Sequence, residues 1–236
     1  MSGFVTKKSV LPSTFELHCG DCSDVMHKMR DGSTDLIIAD PPYGARMPSQ
    51  RRVASDVFAE VHGNDKVRSE WIVEAYRVLA DGGATYVFVC WDVMHKWRRA
   101  LRAVGFKVRS CIVWDKVMHG SGALELCWAP QHEMILFAAK GRHELRGKRP
   151  KDVVRVQRVD PLKLVHPYEK PLPLLRKLIE ASTDEGQTVL DPFMGSGTTG
   201  LAAMQCGRGF TGIEIDRKYF ELAERRIKGA PRRAAR

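Results

Sequence analysis

The sequence predicts an α/β fold whose sheet is mainly parallel and covered on both faces. Two observations carry this. Apolar, β-branched runs of strand length alternate with segments of helical periodicity, and the strands read as continuous apolar stretches without in–out alternation. The chain has 236 residues and a hydrophobic content of 44%, enough to bury a full core. No repeat or linker divides it, so a single domain over 1–236 is expected.

In chain order, FELHCG (15–20) and TDLIIAD (34–40) are read as strands, with a short helix at about 22–30 between them. SEWIVEAYRVL (69–79) has the apolar spacing of a helix and stops at Gly82-Gly83. ATYVFVCW (84–91) is a continuous apolar strand, followed by a helix over 92–104 and a strand at about 107–114. HEMILFAAKG (132–141) is another strand. Then come a helix from about Pro171, strand TVLD (188–191), helix 198–206, strand RGFTGIEI (208–215) and helix 217–228. The stretches 44–65, 115–130 and 141–165 are long for loops of a compact fold, and such loops carry function or are disordered. The tail 229–236, rich in Gly, Ala, Pro and Arg, is expected to be disordered.

The net charge is +10 and the sequence pI about 9.5, which favours a polyanionic partner, most simply nucleic acid. The charge concentrates in 96–109, 140–151 and 225–236. No apolar run approaches the roughly 20 residues of a membrane span. The first fifteen residues hold no long apolar stretch, so no secretory signal is expected. The six cysteines are scattered through hydrophobic stretches, as reduced thiols of a cytosolic protein would be. Cys19 and Cys22 form a CxxC, but no second pair or suitably spaced histidine completes a zinc site, so no metal is expected.

Two clusters carry chemistry. In IIADPPYGAR (37–46) an apolar run ends in Asp40-Pro41-Pro42-Tyr43, where the prolines forbid further ladder bonding and hold the acid on a stiff turn. TVLDPFMGSGTTG (188–200) contains Gly195-Ser196-Gly197-Thr198-Thr199-Gly200, a GxGxxG that follows a strand and opens a helix. Glu214 lies nineteen positions beyond Gly195 at the end of the next strand, where an acid can accept ribose hydroxyls. This order of parts indicates an adenosine-containing cofactor. No Lys-Ser/Thr follows the last glycine, which argues against a P-loop. A nicotinamide cofactor nearly fits the spacing, yet Asp191 stands where a pyrophosphate would approach. A carboxylate there suits a cofactor with a cationic amino-acid end, such as S-adenosylmethionine.

Taken together, the clusters resemble the amino-group DNA methyltransferases, which methylate adenine N6 or cytosine N4 with S-adenosylmethionine. DPPY (40–43) looks like the family's catalytic motif and DPFMGSGTTG (191–200) like its cofactor loop; their order resembles the β class. HPYEKPLPLLRKLI (166–179), GIEIDRKYFELAERRI (212–227), GDCSDVM (20–26) and QHEMILFAAKG (131–141) resemble further family segments, so the likeness covers about 15–228. It implies a Rossmann-like methyltransferase fold in circularly permuted order, mostly parallel with one antiparallel strand. It implies cofactor contacts from Asp21, Cys22, Asp40, Lys170, Asp191, Phe193, Gly195, Ser196, Gly197, Thr198 and Glu214, with Lys170 pairing the cofactor carboxylate. It also implies catalysis by Asp40, Pro41, Pro42 and Tyr43. The Asp40 carboxylate and the Pro41 carbonyl would accept the target amine's N–H groups, freeing a lone pair otherwise delocalised into the ring, and Tyr43 would stack on the rotated base.

By the same resemblance, Asp in the first motif position favours adenine N6 over cytosine N4. A cytosine-C5 mechanism is excluded, since none of the cysteines follows a proline. The expected substrate is double-stranded DNA in a bacterial or phage setting, in the cytoplasm with the nucleoid. Cytosine-N4 DNA methylation and RNA adenine methylation are the alternatives, with a non-catalytic DNA-binding module as a remote one. Target recognition is expected in 44–65 and 141–165, through Arg46, Arg51, Arg52, Arg142, Arg146, Lys148 and Arg149, where arginine can read guanine or hold phosphate. With so short a recognition region, a homodimer is compatible with the resemblance to the β class, though no residue in the sequence specifies one.

Overall fold

An eight-stranded sheet organises the protein in the computed structural model, which describes residues 14–42, 69–119, 128–166 and 168–230. Its strands are β1 (Phe15–Cys19), β2 (Thr34–Ala39), β3 (Leu79–Val89), β4 (Lys107–Asp115), β5 (His132–Ala139), β6 (Val153–Arg155), β7 (Thr188–Asp191) and β8 (Gly209–Glu214). The helices are α1 (Cys22–His27), α2 (Trp71–Val78), α3 (Met94–Val104), α4 (Leu172–Ser182), α5 (Thr198–Gln205) and α6 (Arg217–Lys228). Across the sheet the order is β1-β8-β7-β2-β3-β5-β4-β6. Among the described strands only β5 runs against its neighbours, pairing antiparallel with both β3 and β4. The N-terminal β1 lies parallel to the C-terminal β8, which is the permuted order that the sequence resemblance implies.

Helices cover both faces, and the core divides accordingly. On one side Ile38, Tyr86, Phe88, Leu175, Ile179, Phe210 and Ile227 pack together; on the other Ile37, Val87, Trp71, Ile72, Trp97 and Leu101 do so. β2 sits in the middle with Leu36 to Ala39 fully buried, which is why it reads as an unbroken apolar run.

The sequence reading ends the second helix near residue 79 and starts a strand at 84. The structure starts β3 at Leu79, directly after α2. Thr34 pairs with Leu79 and Leu36 with Ala84, so β3 carries extra residues at Asp81-Gly82-Gly83 in a bulge. The glycines mark that bulge, where sequence alone reads a helix stop. Strand β6 and the 3₁₀ turn Pro161–Lys163 have no counterpart in the sequence reading, since both are too short to show a period.

Candidate active site

Four parallel neighbours, β1, β8, β7 and β2, end on one edge of the sheet, and each carries an acid at or just beyond its carboxyl end: Asp21, Glu214, Asp191 and Asp40. Ligands of open α/β sheets bind along this edge. Asp40 follows buried Ala39, and Pro41 and Pro42 end the ladder there. The Asp40 Oδ2 accepts from the Lys170 ammonium at 2.5 Å. Tyr43 lies outside the described residues.

The glycine loop is built by close approach. Gly197 caps α5 at φ +79°, and a Cβ there would lie 2.9 Å from the Ala223 methyl. A Cβ on Gly200 would strike the Phe210 ring at 2.6 Å, so the third glycine serves helix–strand packing. Asp191 Oδ1 accepts from the Phe193 amide at 3.0 Å. Glu214 Oε2 accepts from the Gly195 amide at 2.9 Å and Oε1 from the Asp216 amide at 2.8 Å, which ties the loop to the end of β8. Phe193 stands edge-on to Trp71, with ring centroids 5.3 Å apart.

Asp40, Pro41, Pro42, Asp191, Phe193, Gly195 and Glu214 line one open cleft, together with Phe88, His166, Tyr168, Glu169, Thr199 and Tyr219. Its electrostatics favour a cation. Burial, with smaller contributions from the neighbouring carboxylates of Asp40 and Glu214, pushes the Asp191 carboxyl up to about 7. Burial also raises Glu214. A buried carboxyl among other acids is relieved by a positive ligand, so the residues fit a cofactor with a cationic sulfonium and ammonium, and they would repel a pyrophosphate. His166 is the neutral donor in this wall. Burial and the nearby Lys170 ammonium pull it down to about 4, and its Nδ1 accepts from the Tyr168 amide at 3.2 Å, so Nε2 carries the proton.

Of the residues that the sequence marks for cofactor contact, Asp40, Lys170, Asp191, Phe193, Gly195, Ser196, Thr198 and Glu214 line the cleft, and Gly197 sits in the loop between two of them. Asp21 is one strand further on. It caps α1 through the Ser23 amide at 2.8 Å and does not line the cleft. The half-buried Cys22 thiol, pushed up to about 12 by burial and by Asp21, is in α1 and outside the lining too. Lys170 stands between two carboxylates, Asp40 and, at 3.5 Å, Glu133.

Among the expected DNA contacts, Arg46, Arg51 and Arg52 lie outside the described residues. Arg142 and Arg146 are at the opposite edge of the sheet, because β5 runs away from the cleft and delivers the chain to the amino end of β3. There Arg142 pairs with Glu144 and Arg146 with Asp184. Lys148 and Arg149 are exposed on the same excursion. The chain returns to the cleft edge only at β6, where Arg155 pairs in register with Asp115.

Sequence reasoning missed Glu133 and Glu169. Glu169 is buried and links three elements: it takes the Arg226 guanidinium at 2.6 Å and the Thr198 hydroxyl at 3.2 Å. Arg226 also donates to the Ser196 carbonyl at 2.8 Å. The available signal for each is an acid next to a buried apolar stretch, Glu133 opening HEMILFAA and Glu169 preceding the helix of HPYEKP.

Comparison with known proteins agrees with this geometry. The N6/N4 methyltransferase family model, described as DNA methylase, matches residues 34–225. The Type II methyltransferase M2.MboI of Moraxella bovis is 31% identical over 237 residues, spanning 90% of this chain and 87% of that one. M2.DpnII of Streptococcus pneumoniae is 30% identical over 234 residues, spanning 88% and 87%. The crystal structure of the M1.HpyAVI–SAM complex matches with a TM-score of 0.69 at 26% identity, covering 90% of this chain and all of that one (100%). The cytosine-N4-specific PvuII DNA methyltransferase, at TM-score 0.71 but 17% identity over 95% of this chain and 90% of that one, speaks to the fold alone. The family match spans most of the chain and includes both the strand that ends at Asp40 and the glycine loop, so this chain belongs to the N6/N4 DNA methylase family and is a DNA methyltransferase.

Proposed function

We propose that this chain methylates N6 of adenine in double-stranded DNA, at a specific site, with the target base rotated out of the helix. The cofactor is S-adenosylmethionine, which when bound supplies a methyl group on a cationic sulfonium. One observation carries the reading: Asp40, on its two-proline turn, shares a cleft with the glycine loop, with the buried Asp191 and with the half-buried Glu214.

The chain's part is to bind and to orient. Asp191 and Glu214 favour the cofactor's positive end and its ribose, and Phe193 offers a ring to its flank. Asp40 and the Pro41 carbonyl are placed to accept the N–H groups of the target amine. Accepting both draws the nitrogen toward tetrahedral geometry and turns its lone pair toward the cofactor end of the cleft. Tyr43, next in the chain, is the ring for the extruded base. The relatives' printed names, Type II methyltransferases of two bacteria, support a bacterial restriction–modification setting in the cytoplasm with the DNA. No helix among the described residues is long and apolar enough to cross a membrane. A second copy of the chain would enlarge the short recognition region. Nucleoside analysis by mass spectrometry of DNA from cells expressing the protein tests the reading: N6-methyladenine is expected, and N4-methylcytosine in its place would overturn the choice of base.

Glu214 gives a sharper test of the cofactor site. Glu214→Ala removes a charged acceptor for ribose and the tie to Gly195, so S-adenosylmethionine binding should weaken by about 1–3 kcal/mol in calorimetry. Unchanged affinity in a folded variant would remove Glu214 from the site.

The DNA surface follows from the sheet's two edges. Arg155 and Arg158 are on the cleft side, with the Arg158 amide bonded to the Lys116 carbonyl at 3.2 Å, whereas Arg142 and Arg146 are not. Neutralising Arg155 and Arg158 together should flatten the log–log salt dependence of DNA binding by roughly two phosphate contacts, a slope change of about 1.8. Neutralising Arg142 and Arg146 should leave that slope unaltered. The reverse pattern would place DNA across the other edge.

A further inference from the structure

Four charged side chains of alternating sign, drawn from four separate elements, form a row that starts in the cleft, where Asp40 and Lys170 are part of the lining. Asp40 beyond β2 meets Lys170 before α4 at 2.5 Å; Lys170 meets Glu133 of β5 at 3.5 Å; Glu133 meets Lys116 beyond β4 at 3.1 Å. The row is not a surface decoration. Lys170 is 8% exposed, and its ammonium sits 4.9 Å over the Phe88 ring. Glu133 is only partly open to solvent, and Oε2, the oxygen facing Lys170, is sealed and makes no close hydrogen bond. A sealed carboxylate oxygen is retained at a cost unless it does something to the charge beside it.

Geometry decides what Lys170 acts on. Its ammonium is within a short hydrogen bond of the catalytic carboxylate, on a stem fixed by burial, and Glu133 draws on the same ammonium from the far side. Lys170 alone would bind Asp40 as a closed ion pair and compete with the target amine for it. A second carboxylate shares the cation, so Asp40 is anchored at Oδ2 without being neutralised. Lys116 in turn balances Glu133: burial alone would raise that acid, but the two lysines hold it below the usual carboxylate range.

We propose that Lys170 and Glu133 are positioning residues for Asp40: Lys170 fixes the plane of the catalytic carboxylate, and Glu133 tempers Lys170 so that Asp40 still accepts the target amine. The assignment moves Lys170 away from the cofactor carboxylate. It rests on the reading of Asp40 as the acceptor of that amine.

Single-turnover methylation at saturating DNA and cofactor, S-adenosylmethionine calorimetry and melting temperature, measured on Glu133→Gln, Lys170→Met, the double variant and Asp40→Asn, test it. Glu133→Gln and Lys170→Met should each slow transfer by about thirtyfold or more while cofactor affinity stays within about threefold, and the double variant should be no slower than Lys170→Met, because both act through one carboxylate. Glu133→Gln nearly preserves shape, so it remains decisive even if Lys170→Met does not fold. Cofactor affinity lost tenfold in Lys170→Met with the saturated rate intact would overturn the inference and return Lys170 to the cofactor carboxylate. Additive losses in the double variant would overturn it as well. An inactive Asp40→Asn beside a fully active Glu133→Gln would sink this inference alone, whereas an active Asp40→Asn would sink it together with the reading beneath it.

Discussion

Asp40→Ala is expected to slow methyl transfer by at least about a hundredfold, the scale of deleting one preorganised polar group at a reacting centre. An amine that is not held keeps its lone pair in the ring, and no other described side chain at the end of β2 can take over the acceptor's place. The ion pair with Lys170 adds a second consequence. Truncation leaves a buried ammonium with Glu133 as its remaining carboxylate, so the Ala variant should also melt lower. Asp40→Asn separates the two effects, because the amide keeps an acceptor for Lys170 while removing the charge. It should hold most of the stability and cofactor affinity and still lose transfer. A strand-terminating role would instead give a lowered melting temperature and a proportional loss of every activity in both variants. Near-normal single-turnover methylation by a stable Asp40→Asn protein would remove Asp40 from the chemistry.

The fold was legible because its signals are local. Continuous apolar runs, the glycine loop and the helix breaks each lie within a dozen residues, and the structure places strands at FELHC, TDLIIA, HEMILFAA, TVLD and GFTGIE accordingly. The bulge in β3 was not legible, since Asp81-Gly82-Gly83 carries the same local signature as a helix end. In the site, most described residues of the two motifs line the cleft because each motif brings its own geometry. What the sequence could not show was which side chains pair. Nothing in HPYEKP says that its lysine faces Asp40, 130 positions earlier, or that Glu133 shares it, since sheet order alone brings β2, β5 and the segment before α4 together. The place of the basic excursion at 142–149 was illegible for the same reason. Its charge is visible in the sequence, but only the antiparallel direction of β5 shows that it begins at the edge away from the cleft.

Asp191→Asn is expected to stabilise the cofactor-free protein and to impair it. Burial, with Asp40 and Glu214 nearby, raises the Asp191 carboxyl from 3.8 to about 7 in the folded state. The folded chain therefore holds a proton that the unfolded chain releases near its ordinary value. Between about pH 4 and pH 7 the folded state binds more protons, so stability falls as pH rises through that window and is flat above it. Three pKa units correspond to as much as about 4 kcal/mol set against folding at pH 8. Asparagine carries no such penalty and still offers its Oδ1 to the Phe193 amide. The variant should melt several degrees higher at pH 8, given about 2–4 °C per kcal/mol for a domain of this size, and the advantage should vanish by about pH 4. The cofactor sees the opposite. Its cationic end is attracted by the ionised carboxylate, so wild-type affinity should rise with pH up to about 7, with close to one proton released on binding. The Asn variant should bind roughly ten- to a hundredfold more weakly at pH 8, the size of a charged hydrogen bond, and show little pH dependence. Greater stability with lost function is the pattern of a destabilised site held in readiness for its ligand. Melting curves and calorimetry at pH 5, 6.5 and 8 decide it: a variant less stable than wild type at pH 8, or a wild-type affinity that is level from pH 6 to 8, would show that Asp191 is not the carboxyl waiting for the cofactor's charge.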